Sequence, residues 1–593
     1  MATTRTARRL LRDHFLRRFL DNDLISPNTD RHEVLVLLAA SLAVPGLFIT
    51  VVLLGSKYVI GIPTPALTSI AALDDKFLYI SASMLIMALI AAVQWDALAL
   101  DERDAAILGP LPVEAREIGR AKLSALVIFV AAFAVLLNGV PSVVFPLLTV
   151  SHFHVSIVSV VRMITVHAAV TMAAGAYAFL TIVLLRELLR LVLGPRWFAR
   201  ISAFVQVALV IALGATLLLL PTLASNVPAR WLERGSPLRA VPPAWFLGLY
   251  ESGTGTVTLT IRGLGLRIPR YLVMPERDAR VLYDALLPRF GPLAQVAIVA
   301  LAVTTTMALA LYVWNNKRLP MPRVSHQRPH SLAWRFAGRV IARLVVPAPV
   351  PRAGFSFTLQ TLARSAQHRI AIATACAVAM AMGILMMHGI RTIGSAAAAP
   401  TRFLALQTMV MAIVLVGVRQ ALAIPAELRA NWLFSMAWNG EMRPFVAGVK
   451  RAVVAGVILP LLVAMLGFDT YMIGARAALQ HAAVGFAISL IALEVLLRPE
   501  KLPLTCSARP MGNLKALAPI YLMLLFFVAY NLALVERWAL GDQRRFAMMV
   551  GALVLIYAAQ RLSQSRHRAI LARIEFEDVP ETPTQRLGLS EPV

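Results

Sequence analysis

Cysteine is nearly absent: Cys376, inside an apolar run, and Cys506, in a polar loop, are the two in 593 residues. Two residues so far apart exclude a disulfide framework and a thiolate metal site, and they give redox chemistry nothing to work with. Charge is scarce too, at 15%, and it leans to one sign, with 57 Lys and Arg against 31 Asp and Glu. In a soluble chain the net charge of +26 would suggest nucleic acid. Here 59% of residues are hydrophobic and the mean hydropathy is +0.73, a balance that soluble domains do not show. The basic residues are expected in loops beside anionic headgroups, where they fix orientation, so a lipid membrane and no nucleic acid is the expected surrounding. Catalytic motifs are missing as well: no G-x-x-x-x-G-K-[ST], H-E-x-x-H or G-x-S-x-G occurs. "HFH", with His152 and His154, has no acidic or third imidazole partner nearby and reads as interface histidines. The chain is not expected to be an enzyme, and no catalytic, metal or cofactor residue is assigned.

What is present is a series of apolar runs. A window of about 19 residues finds them near 34–55, 77–94, 123–149, 160–185, 201–223, 292–314, 369–390, 403–424, 452–468, 477–497, 516–536 and 546–563. Twelve spans in an all-α, polytopic fold follow. Pro141 and Pro146 are places where the third could end or kink, and "GFDTYMIG" leaves a very short turn between the ninth and tenth. The first 33 residues lack the apolar core and cleavage site of a secretory signal, so the first span is expected to stay as a signal anchor. Their Arg content is also that of an organelle transit peptide, whereas the Ala, Arg and Leu bias of the whole chain points to a bacterial plasma (inner) membrane. Placing the N-terminus in the cytoplasm puts most Lys and Arg inside, which makes both termini cytoplasmic.

The predicted order is a basic amphipathic segment at 1–33, a first half at 34–314 with an external segment at 224–291, a cytoplasmic connector at 315–368, a second half at 369–563 and a cytoplasmic tail at 564–593. The stretch 315–369 carries ten Lys or Arg and no acid. It separates two pseudo-equivalent halves of six spans. In each half the second span is followed by a cytoplasmic loop of mixed charge, Trp95–Lys122 and Pro425–Arg451.

The first loop, "WDALALDERDAAILGPLPVEAREIGRAK", sets Asp101, Glu102, Arg103 and Asp104 before a proline-fixed turn and then a helix-forming "VEAREIGRAK". Two short helices under the membrane are predicted, with Ile107, Leu108, Leu111 and Val113 as an apolar docking face rimmed by charge. In "RRLLRDHFLRRFLDND", Leu11, Phe15 and Phe19 recur every four residues with Arg8, Arg12 and Arg18 on other faces, which reads as a basic interfacial helix. The external segment predicts a small hairpin around Val257, Leu259 and Ile261 and a helix over "PERDARVLYDALLPRF"; Trp231, Trp245, Phe246 and Tyr250 are expected as an aromatic belt.

"LDERDAAILGPLPVEAREIGRAK" resembles a segment of permeases of type-2 ATP-binding-cassette (ABC) exporters, where a polar run, an "LLxxLPV" core and a Lys entering the next span recur. "PPAWFLGLYE", Pro242–Glu251, and "FTLQTLARSAQHR" are similar to other stretches of such permeases. "KLPLTCSARPMGN" resembles a third, with Leu504 where Phe is usual. The resemblance implies a transmembrane permease subunit whose loops couple to a separate cytoplasmic ABC ATPase dimer. ATP and Mg would bind in that partner, and a small-molecule, lipidic or peptide substrate would cross the membrane. The residues expected to carry coupling are Asp101, Arg103, Leu108, Pro110, Leu111 and Pro112 in the first loop and Glu427, Arg429, Trp432 and Phe434 in the second.

Of the polar residues within the runs, His167, Gln206, Gln295, His388, Gln407, Arg419, Glu494 and Asn531 are singled out as pointers to a pathway. Glu494 and Arg498 are spaced to pair. The shortage of buried carboxylates counts against a secondary transporter. A scaffold or assembly protein that recruits a partner without ATP is the rival reading.

Overall fold

The computed structural model describes residues 9–16, 65–98, 114–151, 153–225, 227–232, 236–255, 260–261, 276–315, 346–390, 399–424, 442–497, 514–540 and 542–567, with positions 46, 50, 54, 57–58, 108, 110, 426, 434–436 and 502–503. Eleven helices among these residues are long and apolar enough to cross a membrane. The chain is an all-α, multi-pass membrane protein. The predicted span at 34–55 lies almost wholly outside the described residues. The chain forms two compact units, the first of Met1–Asn22 with Asp30–His326 and the second of Asp23–Thr29 with Gln327–Val593.

In the first unit, α1 (Pro65–Val93) starts at a proline and holds no glycine, as a long uninterrupted helix requires. At 29 residues it rises about 43 Å, more than the roughly 30 Å of a hydrocarbon core. α2 (Ala115–Thr149) keeps both Pro141 and Pro146 inside. Neither ends it; a span tolerates an internal proline where neighbouring groups can re-satisfy the carbonyl it frees. The predicted second short helix, "VEAREIGRAK", is not separate either: its residues from Ala115 onward are the first turns of α2. After β1 (Phe153–His154), α3 (Ile157–Leu223) opens on Ser156, whose side chain accepts from the Ser159 amide, and breaks at Gly194 into two arms. α4 (Val227–Leu232) and α5 (Pro242–Thr254) follow, then β2 (Thr260–Ile261) and α6 (Glu276–Asn315).

The segment 224–291 departs from expectation in three ways. β2 pairs antiparallel with β1, Phe153 opposite Ile261, so its described partner lies in the turn between α2 and α3 and not in a local hairpin. The predicted external helix continues through Pro288 and Pro292 into the following span as one 40-residue helix. Trp231, Phe246 and Tyr250 are buried in the core, with Trp245 packed against it, because α4 and α5 fold onto the bundle; no belt forms there. The core gathers around α1, which packs on α2, α3, α5 and α6.

In the second unit, α7 (Pro349–Arg364) precedes α8 (Ala366–Met387) and α9 (Thr401–Leu422). α10 (Met442–Val453) passes through a π-helical turn at Val454–Ile458 into α11 (Leu459–Ile473). A single residue, Gly474 at φ 85°, turns the chain into α12 (Ala475–Leu496), a conformation that glycine adopts without penalty. α13 (Leu514–Leu540) and α14 (Gln543–His567) complete it. α9 packs against α8, α12 and α13 and is the most enclosed candidate span, 78% buried. α7 and α10 cross at two glycines: a Cβ on Gly448 would lie 1.9 Å from the Pro351 carbonyl oxygen, and one on Gly354 would lie 2.3 Å from that of Phe445.

Candidate functional site

The first loop is held at its membrane end by Trp95, which is fully buried and donates from Nε1 to Ser202 Oγ at 2.7 Å. Gln206 Nε2 donates to the Ala92 carbonyl at 3.1 Å, so the second arm of α3 closes the C-terminal end of α1. Pro110 is exposed. Leu108 is buried in the core with Trp95 and Leu98. It is part of the packing that pins the loop, and replacing it with a charge would disturb the core as well as the loop. Phe434, half-buried in the second loop, meets the Phe357 ring of α7 edge-on at 5.7 Å. Asp101, Arg103, Leu111, Pro112, Glu427, Arg429 and Trp432 lie outside the described residues, as do Ile107, Val113, Arg8, Arg18 and Phe19.

A second feature was not expected from the sequence: charges buried among the helices of each unit. At the end of the first unit where α1 begins, Lys76 Nζ lies 2.5 Å from Glu251 Oε1, and Tyr283 donates to Glu251 Oε2 at 2.8 Å. Lys76 also sits over the Tyr250 ring at 4.8 Å. Burial, then the adjacent Glu251 carboxylate, holds the Tyr250 phenol above its ordinary range, so it stays protonated. Its oxygen is 3.2 Å from His167 Nδ1, while His167 Nε2 is buried with no hydrogen-bond partner among the described residues. The imidazole is walled by Tyr79 and Phe145, with centroids 5.3 and 5.4 Å away. Asp75 accepts from Tyr58 and pairs with Lys57 at 2.7 Å. Farther along the bundle, Arg186 and Glu187 pair at 2.5 Å, and Asn315 donates to Glu187 at 2.6 Å.

In the second unit His481 Nδ1 and Glu536 Oε1 are 2.6 Å apart and both side chains are buried. Gln407 Nε2 donates to the His481 carbonyl at 3.0 Å. Gln407 Oε1 and Oδ2 of the buried Asp469 have no hydrogen-bond partner among the described residues. All these residues lie where α9 and α12 begin and α11 and α13 end. Thirteen positions after His481, about 20 Å along α12, Glu494 pairs with Lys450 and lies 3.5 Å from Arg561. The predicted partner Arg498 lies outside the described residues. A buried His with two carboxylates can exchange protons or counter a passing cation. No cluster suited to a metal ion is found among the described residues.

No protein-family model, curated protein or solved structure matches this chain.

Of the eight intramembrane polar residues named from the sequence, His167, Gln206, Gln407 and Glu494 are buried, Arg419 is half-buried, and Gln295, His388 and Asn531 are exposed. The expected shortage of buried charge does not hold, since Asp75, Lys76, Arg186, Glu187, Glu251, Lys450, Asp469, Glu494 and Glu536 are all buried. Asp75 and Lys76 fall outside the predicted span because its apolar window begins at 77, twelve residues after α1 does. A signal was available: "DDK" at 74–76 continues the helical composition of the following run with no glycine or proline between.

Proposed function

We propose that this chain is the membrane-spanning permease subunit of an ABC transporter that works as an exporter, with ATP hydrolysed by a separate cytoplasmic subunit dimer. The reading rests on the type-2 permease-like loop 95–122. One observation supports it: the helix entering each proposed coupling loop, α1 before 95–122 and α9 before 425–451, is the most enclosed candidate span among the described residues of its unit. A push on either loop is therefore delivered to the centre of a unit and not to a peripheral helix. On this reading there are twelve spans in two pseudo-equivalent halves, both termini are cytoplasmic in a bacterial inner membrane, and rocking of the halves moves a small-molecule, lipidic or peptide substrate. Asp101, Arg103, Pro110, Leu111 and Pro112 in the first loop, with Leu108 anchoring it, and Glu427, Arg429, Trp432 and Phe434 in the second, form the coupling surface for the ATPase.

The test is purification of the tagged full chain in mild detergent, with mass spectrometry and an ATPase assay of the eluate. A stoichiometric ATP-binding subunit is expected. Leu111→Asp should lower stimulated hydrolysis at least about tenfold, the loss of more than 1 kcal/mol of coupling, at an unchanged unfolding temperature. Leu108→Asp should lower the unfolding temperature itself, because a charge would enter the core. Absence of an ATP-binding subunit, under conditions that preserve other membrane complexes, would sink the permease reading in favour of a scaffold.

The His481–Glu536 pair with Asp469 favours a second reading, a secondary transporter. It expects transport in vesicles holding the chain alone to follow an imposed pH gradient, without ATP, and to be abolished by Glu536→Gln.

A further inference from the structure

Arg9, Arg12 and Arg120 line one open groove of about 520 Å³ together with Leu123, Ser124, Val127 and Ile128. The first two arginines stand on the helical turns at 9–16, which are fastened to the unit by Phe15, buried at 1% exposure beneath the Lys122 ammonium. Arg120 stands in the second turn of α2. Arg12 donates to Asp13 Oδ1 at 2.9 Å and Arg120 donates to Glu117 Oε1 at 3.1 Å. Arg12, Asp13, Arg120 and Glu117 are 36%, 49%, 67% and 22% exposed, so each pair has its guanidinium open to solvent. Ion pairs so open to solvent hold weakly and yield to a better anion. Even with both carboxylates counted, three guanidinium groups leave the groove net positive.

Below Arg120 the outward face of α2 turns apolar. Val127, Ile128 and Val135 are 60%, 41% and 54% exposed, with exposed Ala131 between them at helical spacing. α2 is long and apolar enough to span, so this stripe faces hydrocarbon directly under a ring of guanidinium groups. Guanidinium favours phosphate through paired N–H donors, and the stripe offers contact along an acyl chain.

We infer that this groove binds an anionic phospholipid, its phosphate among Arg9, Arg12 and Arg120 and one chain along Val127, Ile128 and Val135. The site holds the N-terminal helix at the membrane surface, beside the point where α2 enters. Zwitterionic lipid, which brings no net charge, competes poorly.

Native mass spectrometry of the full chain in detergent, with phosphatidylglycerol and phosphatidylcholine supplied in equal amounts, tests this. Phosphatidylglycerol should be retained preferentially. At about fivefold per basic group near an anionic surface, the Arg9→Ala, Arg12→Ala, Arg120→Ala variant should lose roughly a hundredfold in apparent affinity. Arg120→Glu alone, which leaves the N-terminal helix intact, should act in the same direction. Replacing the exposed Arg277, Arg402 and Arg544 by Ala should leave retention unchanged. Equal retention of the two lipids, unchanged retention in both groove variants, or an equal loss in the control variant would overturn the site. Displacement of the lipid by glycerol phosphate or inorganic phosphate at matched concentration would assign the groove to soluble phosphates instead.

Discussion

Glu251→Ala should cost the full chain about 3–5 kcal/mol of stability, read as a lowered thermal unfolding temperature in detergent. The side chain is 3% exposed and balances Lys76, itself 10% exposed, across 175 positions of sequence. Without it Lys76 keeps the face of Tyr250, a contact worth about 0.5–2 kcal/mol, which does not replace a carboxylate at 2.5 Å. Tyr283 loses its acceptor as well. Lys76→Met should be damaging for the converse reason, since it leaves a carboxylate with one phenol. The double replacement Lys76→Met with Glu251→Leu should recover most of the loss, because two matched apolar groups cost less to bury than one unmatched charge. If the single losses simply add in the double variant, the two residues are not acting as a pair.

Gly448→Ala should destabilise the second unit by about 3 kcal/mol, the upper end of what overpacking costs. The added carbon would overlap a backbone oxygen of α7, not a side chain that could rotate away, and the reciprocal contact at Gly354 blocks the nearest sliding motion. Gly467→Ala, on α11, makes the opposite case. Nothing lies within 4 Å of its added carbon, and an alanine in a helix interior gains up to about 1 kcal/mol over glycine. Unfolding midpoints of the two variants should move in opposite directions. Equal shifts would mean that α7 and α10 are not held in contact.

Much of the helical layout could be read from the sequence because hydropathy accumulates: twenty apolar residues in a row leave little choice but a span. Eleven runs coincide with helices, and Pro141, Pro146, Pro288 and Pro292 break none of them. The buried charges were harder to see for the same reason. Averaging over a window erases a pair such as Asp75 and Lys76 when α1 reaches twelve residues beyond the apolar run. Partner choice was out of reach altogether. Nothing near Lys76 marks Glu251, and nothing near His481 marks Glu536, because each pair is made by packing of helices far apart in the chain. Of the proposed loop residues, Leu108 shows the limit of pattern reading: an apolar residue between charged ones fits a docking face and a buried anchor equally well.

The π-helical turn at Val454–Ile458 bears on how this protein should be compared with relatives. A π turn carries one residue more than the α turn it replaces, so it acts as an insertion whose effect on the rest of the span is absorbed where it occurs. Upstream, Lys450 faces Glu494; downstream, Leu462 faces the core. Removing one residue from within 454–458 would restore plain α-helix and leave both faces where they are. The same deletion elsewhere in Arg443–Ile473 would turn everything beyond it by about 100°. A one-residue gap in an alignment at this place therefore marks a shared register and not a divergence, and it is the position at which a gap in this span should be allowed without penalty.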